Sequence, residues 1–154
     1  MFNRLSPMNL KAIGIVRSDF KKRTSARLDL SKMTAEIEID PTLTEALDGL
    51  EGFSHIIVLY WMHRAVFDKR QLKTYPMGNK VAGVQGLFAV RTPNRPNPIG
   101  KTTVRLLERH DNILKVQGLD AIDGSPVLDI KLYIPGYDSA ADAIVPSWVK
   151  IEKE

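Results

Sequence analysis

Residues 56–62, IIVLYWM, are the longest uninterrupted apolar run in this 154-residue chain. β-Branched and aromatic side chains without polar alternation are typical of a strand that is covered on both faces. The run is far shorter than the roughly 20 apolar residues that a membrane helix needs. We therefore predict a buried strand here and expect no membrane span.

Short strands are predicted on both sides of this run. Residues 11–18 (KAIGIVRS) form a first strand, and residues 35–39 alternate apolar and acidic side chains, which is typical of a half-buried strand. A hairpin turn is expected at His110-Asp111-Asn112. The remaining strands are predicted at 86–90, 102–109, 113–116, 127–134 and 146–151.

Helical signals are few. Thr42 followed by Glu45 resembles a capping box, so a short helix is predicted over 43–50, and 140–144 is predicted to be a helical turn. Several short strands joined by turns favour a mainly-β fold, a closed or half-closed barrel. Length and the absence of a linker predict one domain over residues 1–154.

Composition excludes several kinds of chemistry. With no Cys, the chain cannot form disulfides, zinc–thiolate sites or a thiol nucleophile. Three dispersed His predict no metal site, and there is no G-x-G-x-x-G or phosphate-loop motif for a Rossmann-type cofactor cradle. No secretory leader is recognisable, so we expect a cytoplasmic protein. The net charge of +4 is compatible with RNA binding without requiring it.

The segment 91–100, RTPNRPNPIG, predicts a stiff loop. Its three prolines fix φ and remove three backbone donors, so the segment cannot be a ladder strand. It carries Arg91, Asn94, Arg95 and Asn97 at preset positions. Because a stiff polar loop loses little entropy when a ligand binds, we interpret it as a binding loop rather than a solvated crossover.

Two further segments carry candidate site residues. In 119–126, LDAIDGSP, Asp120 and Asp123 precede a turn at Gly124, and such a turn can hold a ribose hydroxyl or an ammonium group. His63 and Arg64 follow the 56–62 strand directly, where ligand groups are commonly presented.

The apolar run itself offers less chemistry. His55, at its start, is more typical of a structural hydrogen-bonding residue than of a catalyst. Tyr60 and Trp61 are assigned to the core, because aromatic side chains in such a run usually pack.

These motifs together resemble a known family, the TsaA-like or TrmO-type proteins, which are S-adenosylmethionine-dependent methyltransferases that act on tRNA. The resemblance covers about residues 11–138 and is most specific at R-P-N-P-I-G and L-D-x-x-D-G-[ST]-P. The matching stretches are IGIVRS (13–18), GFSH (52–55), GLFAVRT (86–92), RPNPIG (95–100) and LDAIDGSPVLDIK (119–131), with Tyr133 and Pro135.

The resemblance implies a single-sheeted closed β-barrel with one or two short helices. It also implies a homodimer that binds S-adenosylmethionine near the subunit interface and methylates N6 of threonylcarbamoyladenosine beside the tRNA anticodon. The implied cofactor contacts are Arg27, His63, Arg64, Arg91, Leu119, Asp120, Asp123 and Gly124.

N6 of a carbamoylated adenine resembles a urea nitrogen and is a poor nucleophile, so a general base would assist its methylation. The candidates for that base are His63, Asp120 and Asp123. The candidate substrate and RNA contacts are Arg91, Arg95, Asn97, Lys131 and Tyr133, with Lys21, Lys22, Arg23 and Arg27 as a possible phosphate track.

Two departures from the family leave alternatives open. The Pro-Arg-Gln loop that family members carry after the first strand is replaced by a shorter segment, residues 21–32 (KKRTSARLDLSK), in which Arg27 would substitute for the missing Arg. This change motivates a barrel that binds RNA or a nucleotide without catalysis. The chain also ends at Glu154 without the C-terminal domain of longer relatives, which motivates a methyltransferase for a small-molecule substrate.

Overall fold

The computed structural model describes residues 6–21, 29, 32–76 and 80–149. Six strands close an antiparallel barrel in the order β1-β2-β7-β6-β3-β8, and β4 pairs with β5 in a separate two-stranded sheet. The predicted mainly-β closed barrel is therefore confirmed. The strands are β1 (Gly14–Arg17), β2 (Thr34–Ile39), β3 (His55–Trp61), β4 (Lys73–Thr74), β5 (Gln85–Gly86), β6 (Ile99–His110), β7 (Ile113–Gln117) and β8 (Pro126–Leu132).

Helical structure in the described residues is short. The four-residue helix α1 covers Pro135–Asp138. No helix in this part of the chain is long and apolar enough to cross a membrane. Single 3-10 turns or short 3-10 segments cover Pro41–Leu47, Leu50–Gly52, Lys80–Ala82 and Leu87–Ala89.

The apolar run at 56–62 forms a barrel strand, as predicted, and β3 covers His55–Trp61. β3 pairs along its whole length with β6, from His55 opposite Arg105 to Trp61 opposite Ile99. On its other edge it pairs with β8. Ile56 and Val58 are completely buried, and their burial supplies the hydrophobic stabilisation that holds both neighbouring strands in place.

The alternating strand β2 also forms as predicted. Ala35, Ile37 and Ile39 are buried in the core, whereas Glu36 and Glu38 are exposed. Because side chains alternate between the faces of a strand, this pattern fixes which face of β2 lines the barrel interior.

The predicted helix over 43–50 is wrong in type and in position. The segment is a 3-10 helix, and its N-cap is Asp40 rather than Thr42: a carboxylate oxygen of Asp40 accepts a hydrogen bond from the backbone N–H of Thr42 at 2.9 Å. Pro41 supplies the helical φ of the first position, and Gly49 at φ 86° interrupts the continuation.

Two predicted strands are absent from the described residues. Instead of a strand over 86–90, β5 ends at Gly86, a 3-10 turn covers Leu87–Ala89, and only Val90 is extended again. Residues 146–149 form a turn in place of the start of the last strand. At 140–144, where a helical turn was expected, a single hydrogen-bonded turn forms: the backbone N–H of Ala143 donates to the carbonyl of Ala140 at 3.3 Å. The helix α1 lies just upstream.

The topology brings three loops together at one end of the barrel. β3 runs antiparallel to β6 and β8, so the segment after Trp61, the proline-rich loop before Ile99 and the turn before Pro126 all meet at this end. The backbone N–H of Met62 donates to the carbonyl of Pro98 at 2.7 Å and joins two of these segments directly. These are the three segments that the sequence singled out as functional.

Candidate functional site

A cavity of about 930 Å³ opens at this end of the barrel. Its walls come from the end of β3, the proline-rich loop, the start of β6 and the turn before β8. The half-buried Trp148 closes part of it near the C-terminal end of the described chain. The predicted site residues that line the cavity are His63, Arg64, Arg91, Arg95, Asn97 and Asp120.

The side chain of Asp120 is held by two hydroxyl groups that the sequence did not identify as functional. Its Oδ1 accepts a hydrogen bond from the hydroxyl of Tyr60 at 2.7 Å and another from the hydroxyl of Thr102. Tyr60 is only 4% exposed, so its ring packs in the core as predicted, while its hydroxyl reaches Asp120. Its ring lies against Gly100, the last residue of R-P-N-P-I-G. That glycine is the one feature of the sequence that indicates the position of the Tyr60 ring.

His63 is oriented by a buried serine. Oγ of Ser125 lies 3.3 Å from Nδ1 of the His63 ring. Ser125 is 1% exposed, and its backbone is fixed by the carbonyl of Ile122 and the N–H of Val16. The Ser of the D-G-S-P motif, which the sequence did not identify as a site residue, thus holds the imidazole at the cavity.

The two arginines of the proline-rich loop lie in different environments. Nη1 of Arg95 donates to the carbonyls of Val90 at 3.3 Å and Thr92 at 3.4 Å, and its guanidinium lies 5.8 Å from the ring centroid of Phe88. Arg95 therefore stabilises the loop that carries it. Arg91 is exposed at the cavity and makes no hydrogen bond to the described part of the chain, so its guanidinium is available to a ligand.

Asp123 lies apart from Asp120, in a shallow depression of about 460 Å³. Its carboxylate accepts hydrogen bonds from Nζ of Lys21 at 2.8 Å and from the backbone N–H of Ser18 at 2.9 Å. These two donors hold the pKa of Asp123 below its usual value, and the larger effect comes from the Lys21 ammonium. Asp123 thereby ties the segment after β1 to the turn before β8, and Arg64 reinforces this connection by donating to the carbonyl of Lys21 at 2.7 Å.

The other predicted site residues lie elsewhere. Leu119 is buried in the barrel core, and Gly124 adopts φ 78° where its N–H donates to the carbonyl of Val16. Lys131 and Tyr133 lie toward the opposite end of the barrel, the first paired with Asp129 at 2.8 Å and the second edge-on to His55. Lys22, Arg23 and Arg27 lie outside the described residues.

The walls of the cavity carry side chains of both charges. Arg91 offers a fork of donors to a carboxylate or a phosphate, and Asp120 offers an acceptor to an amine, a hydroxyl or an N–H group. Within the described residues no cluster of three His, Asp or Glu side chains could hold a metal ion. Fold and site define a small β-barrel protein with a cavity for a polar organic ligand, built without a glycine-rich phosphate loop.

Comparison with known proteins identifies the family. The family model of the tRNA-methyltransferase O N-terminal domain matches residues 15–139. A probable S-adenosyl-L-methionine-binding protein of Methanothermobacter thermautotrophicus is 46% identical over 134 residues, which are 86% of this chain and 94% of the relative. An S-adenosyl-L-methionine-binding protein of Archaeoglobus fulgidus is also 46% identical, over 133 residues that are 85% of this chain and 93% of the relative.

A solved structure agrees with this result. The crystal structure of TrmO from Pseudomonas aeruginosa is similar with a TM-score of 0.73 at 34% identity, and the match covers 90% of this chain and 62% of that one. The chain thus spans less than two thirds of the solved relative. The chain belongs to the tRNA-methyltransferase O N-terminal domain family, and the resemblance to TsaA-like, TrmO-type proteins is confirmed.

The role of Asp123 predicts a pH-dependent contribution to stability. Because its pKa is lowered in the folded state, its ion pair stabilises the fold fully above the unfolded-state pKa of about 3.9 and is lost as the pH falls through the lower folded-state value. Asp123→Asn should therefore be less stable than the wild type near neutral pH, and the difference should shrink toward about pH 3. Urea unfolding followed by circular dichroism across this range measures it.

Lys21→Gln provides the matched control for this measurement. In that background Asp123→Asn should cause a much smaller loss, because the principal partner of the carboxylate is already gone. A loss of stability that stays constant from neutral to acid pH would contradict the assigned role of Asp123.

Proposed function

We propose that this protein binds S-adenosylmethionine in the cavity and methylates N6 of threonylcarbamoyladenosine beside the anticodon of tRNA. The observation that carries the proposal is that the two most specific family motifs, R-P-N-P-I-G and L-D-x-x-D-G-S-P, border one cavity: the first contributes Asn97 to its walls and the second Asp120, and Arg91 of the neighbouring GLFAVRT stretch lies beside them. A tRNA substrate is consistent with the cytoplasmic location expected from the sequence.

The groups in the cavity suit the chemistry of the cofactor. S-adenosylmethionine carries a carboxylate, an ammonium group and ribose hydroxyls, and when bound it supplies an electrophilic methyl group. Arg91 is a suitable partner for the carboxylate, and His63 and Arg64 supply further polar contacts at the end of β3. The cavity volume of about 930 Å³ is within the range of small-molecule sites. Catalysis by these residues would rest chiefly on alignment and exclusion of water.

Of the three candidate bases, we assign the role to Asp120. Asp123 is engaged by Lys21 and Ser18 and lies in the separate depression. His63 uses Nδ1 for Ser125, and we assign it to the cofactor. Asp120 accepts both of its hydrogen bonds on Oδ1, and in the described part of the chain no group donates to Oδ2. Oδ2 would accept the N6 proton as the nitrogen gains its methyl group.

The basic groups at the cavity suit an anionic RNA substrate. The ammonium of Lys101 and the amide of Asn97 are exposed at its mouth, where they would bind the threonine carboxylate or the backbone phosphates of the anticodon loop. The expected contacts Lys131 and Tyr133, at the opposite end of the barrel, would bind a different part of the tRNA.

We propose that the protein acts as a homodimer with the site near the subunit interface. Large apolar side chains are exposed on and beside the β4–β5 hairpin: Leu72 is 58% exposed, Val84 50% and Phe88 81%. Exposed apolar side chains concentrated in one region are typical of an interface. Phe88 also lines the cavity, so an interface here would border the site.

Sedimentation equilibrium tests the dimer. We expect a dimer at micromolar concentration and a shift toward monomer for Val84→Glu, because the variant would bury a carboxylate in an apolar contact. Ile134→Glu is the matched control, since Ile134 is 46% exposed just beyond the end of β8, at the end of the barrel opposite the cavity, and it should remain dimeric. A monomeric wild type would contradict the proposal.

The methyl transfer is tested with labelled S-adenosylmethionine and tRNA from a strain that lacks the modification, followed by mass analysis of the nucleosides. We expect threonylcarbamoyladenosine to gain one methyl group. Asp120→Ala should lower the rate by about 10²- to 10⁴-fold, the usual contribution of a general base. Glu36→Ala, which removes an exposed carboxylate of β2, should retain activity.

The other outcomes distinguish the alternatives. RNA binding with a steep salt dependence but no methyl transfer would indicate a non-catalytic binding protein. Methyl transfer to a free nucleoside but not to tRNA would indicate a small-molecule substrate. Either outcome would contradict the proposed reaction on tRNA.

A further inference from the structure

We infer that Tyr60 is a positioning residue for methyl transfer, whose hydroxyl together with that of Thr102 fixes the carboxylate of Asp120 so that Oδ2 alone meets the reacting nitrogen. The inference rests on the proposed function and assigns a role to a side chain that the sequence placed in the core. It follows from the packing of the Tyr60 ring, the hydrogen bonds of Asp120 and the chemistry of the methylated nitrogen.

The ring of Tyr60 packs in the core and lies directly over the backbone of Gly100. Tyr60 lies opposite Gly100 in the β3–β6 ladder, and a Cβ at Gly100 would lie 2.3 Å from Cζ of the ring and 2.7 Å from its hydroxyl oxygen. Since real Cβ atoms do not approach so closely, only glycine at this position lets the ring lie where it does. On the β8 side the register shifts between Leu59 and Tyr60, which sets Tyr60 apart from the regular pairing.

Three elements of the barrel meet at Asp120. Tyr60 comes from β3, Thr102 comes from β6 two residues after Gly100, and Asp120 belongs to the segment before β8. The hydroxyl oxygens of Tyr60 and Thr102 lie 3.5 Å apart, and both groups donate to the same carboxylate oxygen. A carboxylate held at one oxygen by two donors cannot rotate freely, although the Asp120 side chain is exposed to the cavity.

This arrangement has a chemical consequence. With Oδ1 occupied, Oδ2 is the acceptor left for a ligand, and it suits a group that presents one N–H donor. N6 of a carbamoylated adenine carries one hydrogen, whereas the methylated product carries none. Once Asp120 has passed the proton taken from N6 to solvent, the product places no donor opposite the carboxylate, so the same fixed geometry that orients the substrate favours product release.

Tyr60→Phe tests the inference because it removes the hydroxyl and keeps the ring over Gly100. We expect kcat for tRNA methylation to fall by about 10- to 100-fold, the usual effect of losing a group that orients a site residue, while KM for S-adenosylmethionine changes little. Thr102→Val should act in the same direction, and Thr102→Ser, which keeps a hydroxyl, should restore activity. Tyr137→Phe, at an 86% exposed tyrosine outside the cavity, is the matched control.

The decisive comparison repeats Tyr60→Phe in the Asp120→Ala background. If Tyr60 acts through Asp120, the second substitution should cause no further loss of kcat; a merely structural role would lower the rate by the same factor in both backgrounds. An unchanged kcat for Tyr60→Phe, or equal losses in the two backgrounds, would overturn the inference. Turnover by the wild type reports separately on the proposed function, and circular dichroism verifies that each variant is folded.

Discussion

The pairing of β3 with β6 on one edge and with β8 on the other is the constraint on which the rest of the structure depends. The apolar strand β3 holds both neighbours in antiparallel register, β6 along its full length and β8 from Ile56 to Tyr60. Since the strands alternate in direction, the segment that leaves β3 and the segments that enter β6 and β8 emerge at the same end of the barrel. The cavity is a consequence of this pairing, because its walls are made of those three segments.

This strand pairing gives the two carboxylates of the L-D-A-I-D-G segment different roles. Asp120 and Asp123 are three residues apart and equivalent in the sequence, but they occupy different environments. Asp123 turns toward Lys21 and Ser18 and connects β1 to the turn before β8. Asp120 turns toward the cavity, where hydroxyls from β3 and β6 hold it. One carboxylate therefore supports the loop, and the other is available to a ligand.

Much of this architecture could be predicted from the sequence, and the failures have physical causes. The β3 run and the alternation of β2 depend on burial patterns that each segment carries in itself, so both strands were predicted. The 3-10 helix at Pro41–Leu47 was not, since Asp40 and Pro41 begin it earlier than the capping signal at Thr42 suggested. In the site, the proline-rich loop and the turn before β8 were recognised from unusual composition. The partners of Asp120 were not, because the contact between Tyr60 and Asp120 depends on the register of β3 against Gly100, which local sequence does not reveal.

The central claim for this cavity is that it binds S-adenosylmethionine through Arg91. Isothermal titration of the protein with S-adenosylmethionine tests it without requiring turnover or RNA. We predict saturable binding by the wild type. Arg91→Ala should lower the affinity at least about tenfold, as expected for the loss of one charged hydrogen-bonded contact. Arg105→Ala, at an exposed arginine of β6 opposite His55, should leave the affinity unchanged. Absence of binding at millimolar cofactor, or equal affinity in Arg91→Ala and the wild type, would contradict the account.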